Sequence, residues 1–359
     1  MLNLKPKLSL LYLSYKIILE LTKAIDQSKD VSNVKGIAYE SNGQVVQTER
    51  RERIQDLDSL GYPSRDGLDI EKNMQRVLSP PLPLSKQVSA RVSTSRGCRF
   101  NCDFCSTDNV FPGSRTERTP ESVVEELEYL NEEYGVNLVA FGDEDFFGNP
   151  QRVREIFDLI EGKGLDEKMY FRSFIRANDV EPNEDLLREI NNRDYVGAIL
   201  GIEALDDEAL DGVHKGTNVR MIERALGTLD NIGIITRATY MIGYPNQTEE
   251  KMREGLERLK QLPVDEVYLP IFTPLPGTRT YEDFKDIIND RTWDHYDTNH
   301  PVMDIPVDNI LEKRRQFLEE FYSEKRFWKR FDKKTEGMAP EEKKKWKETY
   351  REFFEAGVA

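Results

Sequence analysis

From residue 87 to residue 272 short apolar runs alternate with amphipathic stretches of helical period, and this alternation leaves few folds open. The spacing predicts strands over 88–95, 137–141, 168–174, 195–201, 234–242 and 266–272. Helices are expected over 120–134, 150–161, 183–191, 218–231 and 249–261, the first with Thr119 as N-cap and Pro120 in its first turn. A repeated β/α unit implies parallel strands joined by right-handed crossovers. Six units fall short of the eight that close a barrel. The expected class is therefore α/β, a partial (β/α)6 barrel spanning residues 87–274.

The flanks read differently. Residues 14–27 form an amphipathic pattern with Ile17, Ile18, Leu21 and Ile25 on one helical face. Two short runs, 34–39 and 44–48, surround Asn42-Gly43 and predict a β-hairpin. Residues 51–86 are charged and carry Pro63, Pro80, Pro81 and Pro83, the composition of a linker or wrapping arm. Beyond Pro274 the alternation stops. A mainly helical C-terminal extension over 275–359 is expected, with one charged helix over 307–332 and another over 340–354. The apolar run from Leu8 to Tyr15 is short and is interrupted by Lys16 and Glu20, so it predicts neither a membrane span nor a signal peptide.

All three cysteines of the chain, Cys98, Cys102 and Cys105, lie in one loop directly after the first barrel strand. Loops that follow the strands form the functional face of a parallel β/α structure. An odd, crowded set of thiols is not a disulfide framework. With only three cysteines, a four-Cys zinc site is also excluded within one chain. If these thiolates bind metal they must share one soft centre. An iron–sulfur cube normally takes four cysteines, so three would leave one iron open. A zinc knuckle or an electron-transfer cluster is the competing reading. Reduced thiols without an export signal point to the cytoplasm.

The spacing Cys98-x-x-x-Cys102-x-x-Cys105 resembles the signature of the radical S-adenosylmethionine (SAM) superfamily. The resemblance implies that the three cysteines hold a 4Fe–4S cluster and that SAM chelates its open iron. An electron from the cluster then cleaves SAM to a 5′-deoxyadenosyl radical, which abstracts hydrogen from an organic substrate. Phe104 stands at the motif's aromatic position, next to the adenine. Phe141-Gly142-Asp143-Glu144-Asp145 stands where the family has a Gly-Gly-Glu segment receiving the SAM ammonium; Gly142 is retained and Asp143 replaces the second glycine. Arg172 and Arg176 follow the third strand, where a guanidinium can pair with the SAM carboxylate; Arg176 is the one assigned. Gly201-Ile202-Glu203-Ala204 is similar to the run whose carboxylate bonds the ribose. The His214-Lys215-Gly216-Thr217 turn also recurs in the family, with His214 read as structural. Ile242-Gly243-Tyr244-Pro245 resembles the motif after the fifth strand, and places Gly243 in the cofactor site.

The flanks resemble the cobalamin-binding branch of that superfamily. Val34–Tyr39, Asn42-Gly43 and Asp56–Pro63 look like the join between a Rossmann-like cobalamin domain and the barrel, which makes residues 1–50 a remnant of that domain. Trp293-Asp294-His295-Tyr296 and His300-Pro301-Val302 resemble the branch's tail. Most of the domain is absent from this sequence and no Asp-x-His-x-x-Gly occurs. Cobalamin binding by this chain alone is therefore in doubt. A lineage without cobalamin, a separate cobalamin-binding partner protein and a truncated reading frame are the three accounts of this. The expected activity is that of an oxidoreductase or methyltransferase, by methylation, oxidation or rearrangement. A low-potential donor such as ferredoxin or flavodoxin would supply the electron. The net charge of −15 disfavours nucleic acid as a partner, because phosphate binding needs a basic face.

Overall fold

The structure is a computed structural model that describes residues 8–10, 15–68, 77–111 and 115–356. It divides into two compact units, Met1–Gln55 and Asp56–Ala359. In the first, strands Leu8–Leu10, Ile37–Ser41 and Gln44–Gln47 form an antiparallel sheet beside helix Tyr15–Asp26. Asn42 and Gly43 both take positive φ, as a two-residue hairpin turn requires. The helix buries Ile17, Leu21 and Ala24, one residue in each successive turn, against Val34 and Ile37. Ile18 and Ile25, expected on that face, are each 48% exposed.

In the second unit six parallel strands pair in chain order: β1 (Ser89–Val92), β2 (Leu138–Phe141), β3 (Tyr170–Ile175), β4 (Tyr195–Glu203), β5 (Ile235–Tyr240) and β6 (Glu266–Tyr268). The helices between them are α1 (Pro120–Tyr134), α2 (Pro150–Gly162), α3 (Glu184–Asn191), α4 (Val219–Ile232) and α5 (Glu249–Gln261). The sheet is open between β1 and β6, and the fold is the partial (β/α)6 barrel expected. Asn and Thr side chains cap four of the helices: Thr119, as expected, Asn149, Asn218 and Thr248 each accept a hydrogen bond from the first-turn backbone. Alternation along the strands separates two faces. Phe141, Phe171 and Tyr195 point outward and pack around Phe157 of α2. Ala140, Phe174, Ile199, Arg237 and Thr239 point the other way, onto a concave face that keeps solvent contact.

Three expectations need correction, the first being the sixth strand, which ends at Tyr268 rather than Phe272. The first strand ends at Val92 rather than Ser95. There the Thr94 N–H turns from the sheet to the carboxylate of Asp143, and Ser95–Arg96 pairs antiparallel with Thr116–Glu117. The single helix expected over 307–332 is two, α6 (Ile310–Phe321) and α7 (Glu324–Lys334). The break falls at Tyr322, whose hydroxyl accepts the Val267 N–H at 3.0 Å. Phe317 and Phe321 pack on the barrel core, whereas Phe327 and Phe331 join Trp346, Tyr350 and Phe353 of α8 (Pro340–Glu355). Residues 58–65 lie along α1: Asp58 accepts the Thr119 N–H, and Arg65 and Arg118 share the buried carboxylate of Glu126. No helix among the described residues is long and apolar enough to cross a membrane.

Asp194, in the turn between α3 and β4, has a φ of 60°. Partial burial and the nearby charge of Asp166 push its carboxyl up to about 6. A folded-state value above the unfolded one means that stability is fullest below about pH 4 and is lost as pH rises through 6. Asp194→Asn removes the charge and suits a positive φ. After discounting for solvent screening, it is expected to add about 1 kcal/mol at pH 7.5 and nothing at pH 4. Urea denaturation at the two pH values checks this.

Candidate active site

A cavity of about 280 Å³ lies at the carboxyl ends of the strands. It brings together Cys98, Cys102, Phe104, Cys105, Gly142, Asp143, Glu144, Arg176 and Glu203, nine of the ten residues picked from the sequence. The tenth, Gly243, does not line it. Gly243 has a φ of 82°, and a Cβ there would meet Ile310 of α6 at 2.8 Å, so this glycine admits the C-terminal segment rather than a ligand.

The cysteine loop is held from outside. Asp103 lies between the second and third cysteines; its N–H donates to the Val213 carbonyl at 3.1 Å, and its carbonyl accepts the Thr280 N–H at 3.2 Å. Its carboxylate meets His214 Nδ1 at 2.7 Å, in keeping with a structural His214. Arg99, next to Cys98, donates to Asp145 at 2.7 Å and to Asp179 at 2.9 Å, which ties the loop to the ends of β2 and β3. Cys105 Sγ and Thr107 Oγ1 lie 3.2 Å apart. Cys102 is buried and the other two thiols are half-buried. Burial pushes the Cys98 thiol up, so occupation by a metal would displace a proton from it.

Asp143 behaves differently from a ligand group. It is fully buried, and its carboxylate accepts from the Thr94 N–H at 3.1 Å, the Thr94 hydroxyl at 3.0 Å and the Ser95 hydroxyl. Arg152 completes this arrangement by donating to Thr94 Oγ1 and to the Thr94 carbonyl. Asp143 thus fixes the strand-to-loop junction that leads to Cys98. Glu144, one residue on, is exposed at the cavity. Arg91 crosses directly over Gly142, where a Cβ would meet its Nε at 2.1 Å, and donates to the Gly142 carbonyl.

On the opposite wall Arg176 stacks over the Phe100 ring at 3.6 Å from its centroid. One guanidinium nitrogen lies 3.5 Å from Cys102 Sγ, another donates to the Lys215 carbonyl, and Nε is buried without a partner among the described residues. Glu203 ends β4 at a φ of 63°, a conformation costly for a side chain of this type. Its carboxylate accepts from Lys215 Nζ at 2.8 Å in a buried ion pair. Gly201 makes this pair possible, because a Cβ there would lie 2.8 Å from Glu203 Oε1 and 2.9 Å from Lys215 Nζ. Lys215 also lies 5.7 Å from the Phe104 ring centroid. Lys215, Arg91 and Arg99 were missed as functional residues. The first sat in a turn already singled out, but nothing local says that its ammonium reaches back to Glu203. Among the described residues no three His, Cys, Asp or Glu side chains converge as closely as a single metal ion requires.

Residues 92–259 match the sequence profile of the Radical SAM superfamily. An uncharacterized methyltransferase of Pyrococcus horikoshii is 30% identical over 286 residues, 79% of this chain and 60% of that protein. The anaerobic magnesium-protoporphyrin IX monomethyl ester cyclase of Rubrivivax gelatinosus is 27% identical over 314 residues, 84% of this chain and 55% of that one. Among solved structures, the radical SAM methyltransferase TsrM from Kitasatospora setae, with cobalamin and a [4Fe–4S] cluster bound, superposes with a TM-score of 0.62 at 17% identity. That match covers 78% of this chain and 55% of TsrM. The cobalamin-dependent radical SAM enzyme OxsB gives 0.56 at 19% identity, covering 85% of this chain and 44% of OxsB. The chain thus spans little more than half the length of the curated relatives it matches.

Proposed function

This chain carries a radical SAM domain, and on that premise we propose that it is an enzyme that cleaves SAM reductively at a 4Fe–4S cluster held by Cys98, Cys102 and Cys105. The single observation that carries the reading is convergence: three thiols, an arginine with an unpaired Nε and a strained buried glutamate meet in one cavity. The residues suit the group. The donor set is three soft thiols with no fourth in the sequence, and the arginine beside Cys102 carries an N–H free for a carboxylate. When bound, the cluster and SAM supply a 5′-deoxyadenosyl radical that takes hydrogen from an organic substrate.

The chain's own groups bind, orient and shield. Arg176 offers a charged fork to the SAM carboxylate. Glu203, locked by Lys215, presents its remaining oxygen to the ribose diol. Glu144 faces the cavity as acceptor for the ammonium, and Phe104 packs beside the adenosine. Asp143 and Arg99 act one step back, by holding the loop that carries the thiols.

Methyl transfer to an organic substrate is the favoured outcome, supported by the relatives described as methyltransferases. A ferredoxin or flavodoxin is the fitting electron donor. Residues 1–359 by themselves are expected to elute free of cobalamin from a desalting column.

The test is anaerobic reconstitution with iron, sulfide, dithionite and SAM. Formation of 5′-deoxyadenosine is expected; one zinc per chain with neither iron nor sulfide would favour a binding protein instead.

A further inference from the structure

We infer that Arg91 selects the organic substrate, by receiving an oxyanion, carboxylate or phosphate, that the substrate carries on an apolar ring system. The inference rests on the enzyme reading above and extends it to the class of substrate.

Arg91 is exposed and lines the cluster cavity. Its direction is set by the sheet. Val92, its neighbour on β1, packs into the core under the helices, so Arg91 points to the concave side. There it pairs in register with Ala140 of β2. Ala140 is small and Gly142, next on that face, has no side chain, so β2 puts nothing in the way of the arginine. The side chain leans across Gly142 and donates to its carbonyl at 3.0 Å. On the far side of β2, Phe174 of β3 is 37% exposed and lines the same cavity. Ile199 of β4, its register partner, is half-buried.

The other charged groups of the cavity are engaged. Lys215 holds Glu203, Arg99 holds Asp145 and Asp179, and Thr94 and Ser95 take up Asp143. Arg176 and Glu144 are the groups assigned above to the carboxylate and ammonium of SAM. Arg91 is left with a neutral carbonyl as its one side-chain hydrogen-bond partner among the described residues. Glu144 feels the charge of Arg91 and of Arg96 and forms no ion pair with either among the described residues.

A guanidinium carries five N–H donors in a fixed fork. One is spent on Gly142, and the fork matches a carboxylate or a phosphate in a bidentate way. β1 is the edge strand of an open sheet, so an anion can reach Arg91 from the open side while SAM occupies the strand ends. Arg91 and Phe174 stand two strands apart, roughly 10 Å at 4.8 Å per strand, and the lean of the arginine over β2 shortens the gap. A ring resting on Phe174 therefore brings an attached acid group to the guanidinium. The substrate so described is an apolar ring with its acid towards β1 and its reacting carbon towards the cysteine loop.

The probe is 2-naphthoate, titrated calorimetrically into the anaerobically reconstituted full chain holding SAM without reductant, with 2-naphthamide and 2-naphthyl phosphate beside it. At least one of the two anions is expected to bind tenfold or more tightly than the amide, and the tighter one names the oxyanion. Arg91→Gln, which removes the charge and keeps an amide donor, should bring that anion down to the level of 2-naphthamide. Arg91→Lys, which keeps the charge without the fork, should retain part of the preference. Equal or absent binding of all three probes by the wild type, or an unchanged preference in Arg91→Gln, overturns the inference. Displacement of SAM by the anion, or a loss of SAM affinity in Arg91→Gln as large as the loss for the anion, assigns Arg91 to the cofactor and overturns it as well. Adding dithionite to the wild-type preparation keeps the two readings apart. If 5′-deoxyadenosine forms without anion selectivity, only the substrate assignment fails; if it does not form, the enzyme reading fails by itself.

Discussion

Replacing Cys102 by serine is expected to leave a folded protein that forms no measurable 5′-deoxyadenosine, a loss of at least about a thousandfold. The substitution changes one atom in a buried position, so the fold has little reason to respond. The chemistry has every reason to. Iron–sulfur clusters are held by thiolates, and a serine hydroxyl is neither soft nor readily deprotonated. The chain has no other cysteine to substitute. The same outcome is expected for Cys98→Ser and Cys105→Ser, because three ligands are the minimum that leaves a single open iron. Iron and sulfide analysis after reconstitution, with chromatography of the SAM products, reads the result. A Cys102→Ser protein that keeps full iron, sulfide and SAM cleavage would remove Cys102 from the ligand set.

Arg330→Met is expected to lower stability by about 3–5 kcal/mol at neutral pH, the usual consequence of removing one partner from a buried ion pair. Arg330 on α7 donates to Asp265 at 2.6 Å and to Asp230 at 2.7 Å, and both carboxylates are buried. Asp230 retains Lys333 and Lys334 in the variant, whereas Asp265 keeps the Thr236 N–H at 2.9 Å and Lys334 at 3.7 Å. Burial raises the Asp230 carboxyl, but Arg330, Lys334 and Lys333 outweigh it and hold it well below the usual carboxylate range. A depressed folded-state value gives stability that is present above the unfolded value near 4 and is lost as pH falls. The wild type should therefore weaken from about pH 5 downward, and Arg330→Met should show a shallower acid slope. Urea denaturation at pH 7 and pH 4 measures both. An equal loss at the two pH values would mean that the packing of the arginine stem, not its charge, holds α7.

Most of the barrel was legible because its signals are local. Five helices and six strands announce themselves through period and capping within a dozen residues, and each β/α unit forces the next into parallel pairing. The cysteine loop was legible for the same reason, since all three cysteines fall within eight residues. What was lost depends on distant partners. The end of β1 at Val92 is decided by Asp143, and the break between α6 and α7 by a hydroxyl that meets Val267. The helical face of residues 14–27 was misread because its apolar residues are too many for one stripe, and only the packing partners, Val34 and Ile37, choose among them. Gly243 was given to the cofactor from a motif, when its φ and the approach of Ile310 explain it. Lys215 was silent because an ammonium's target is a matter of three dimensions.

The clasp on the cysteine loop also sets an order of events in the making of this protein. Cys98, Cys102 and Cys105 leave the ribosome long before the residues that shape their loop, Val213, His214 and Thr280. At about 5–20 residues per second, the roughly 175 residues from Cys105 to Thr280 take some 9–35 s to be made. During that interval the thiols have no formed pocket around them and stand open to oxidation. A cluster held by these thiols, as proposed, would therefore find its loop formed only after residue 280 has been synthesised.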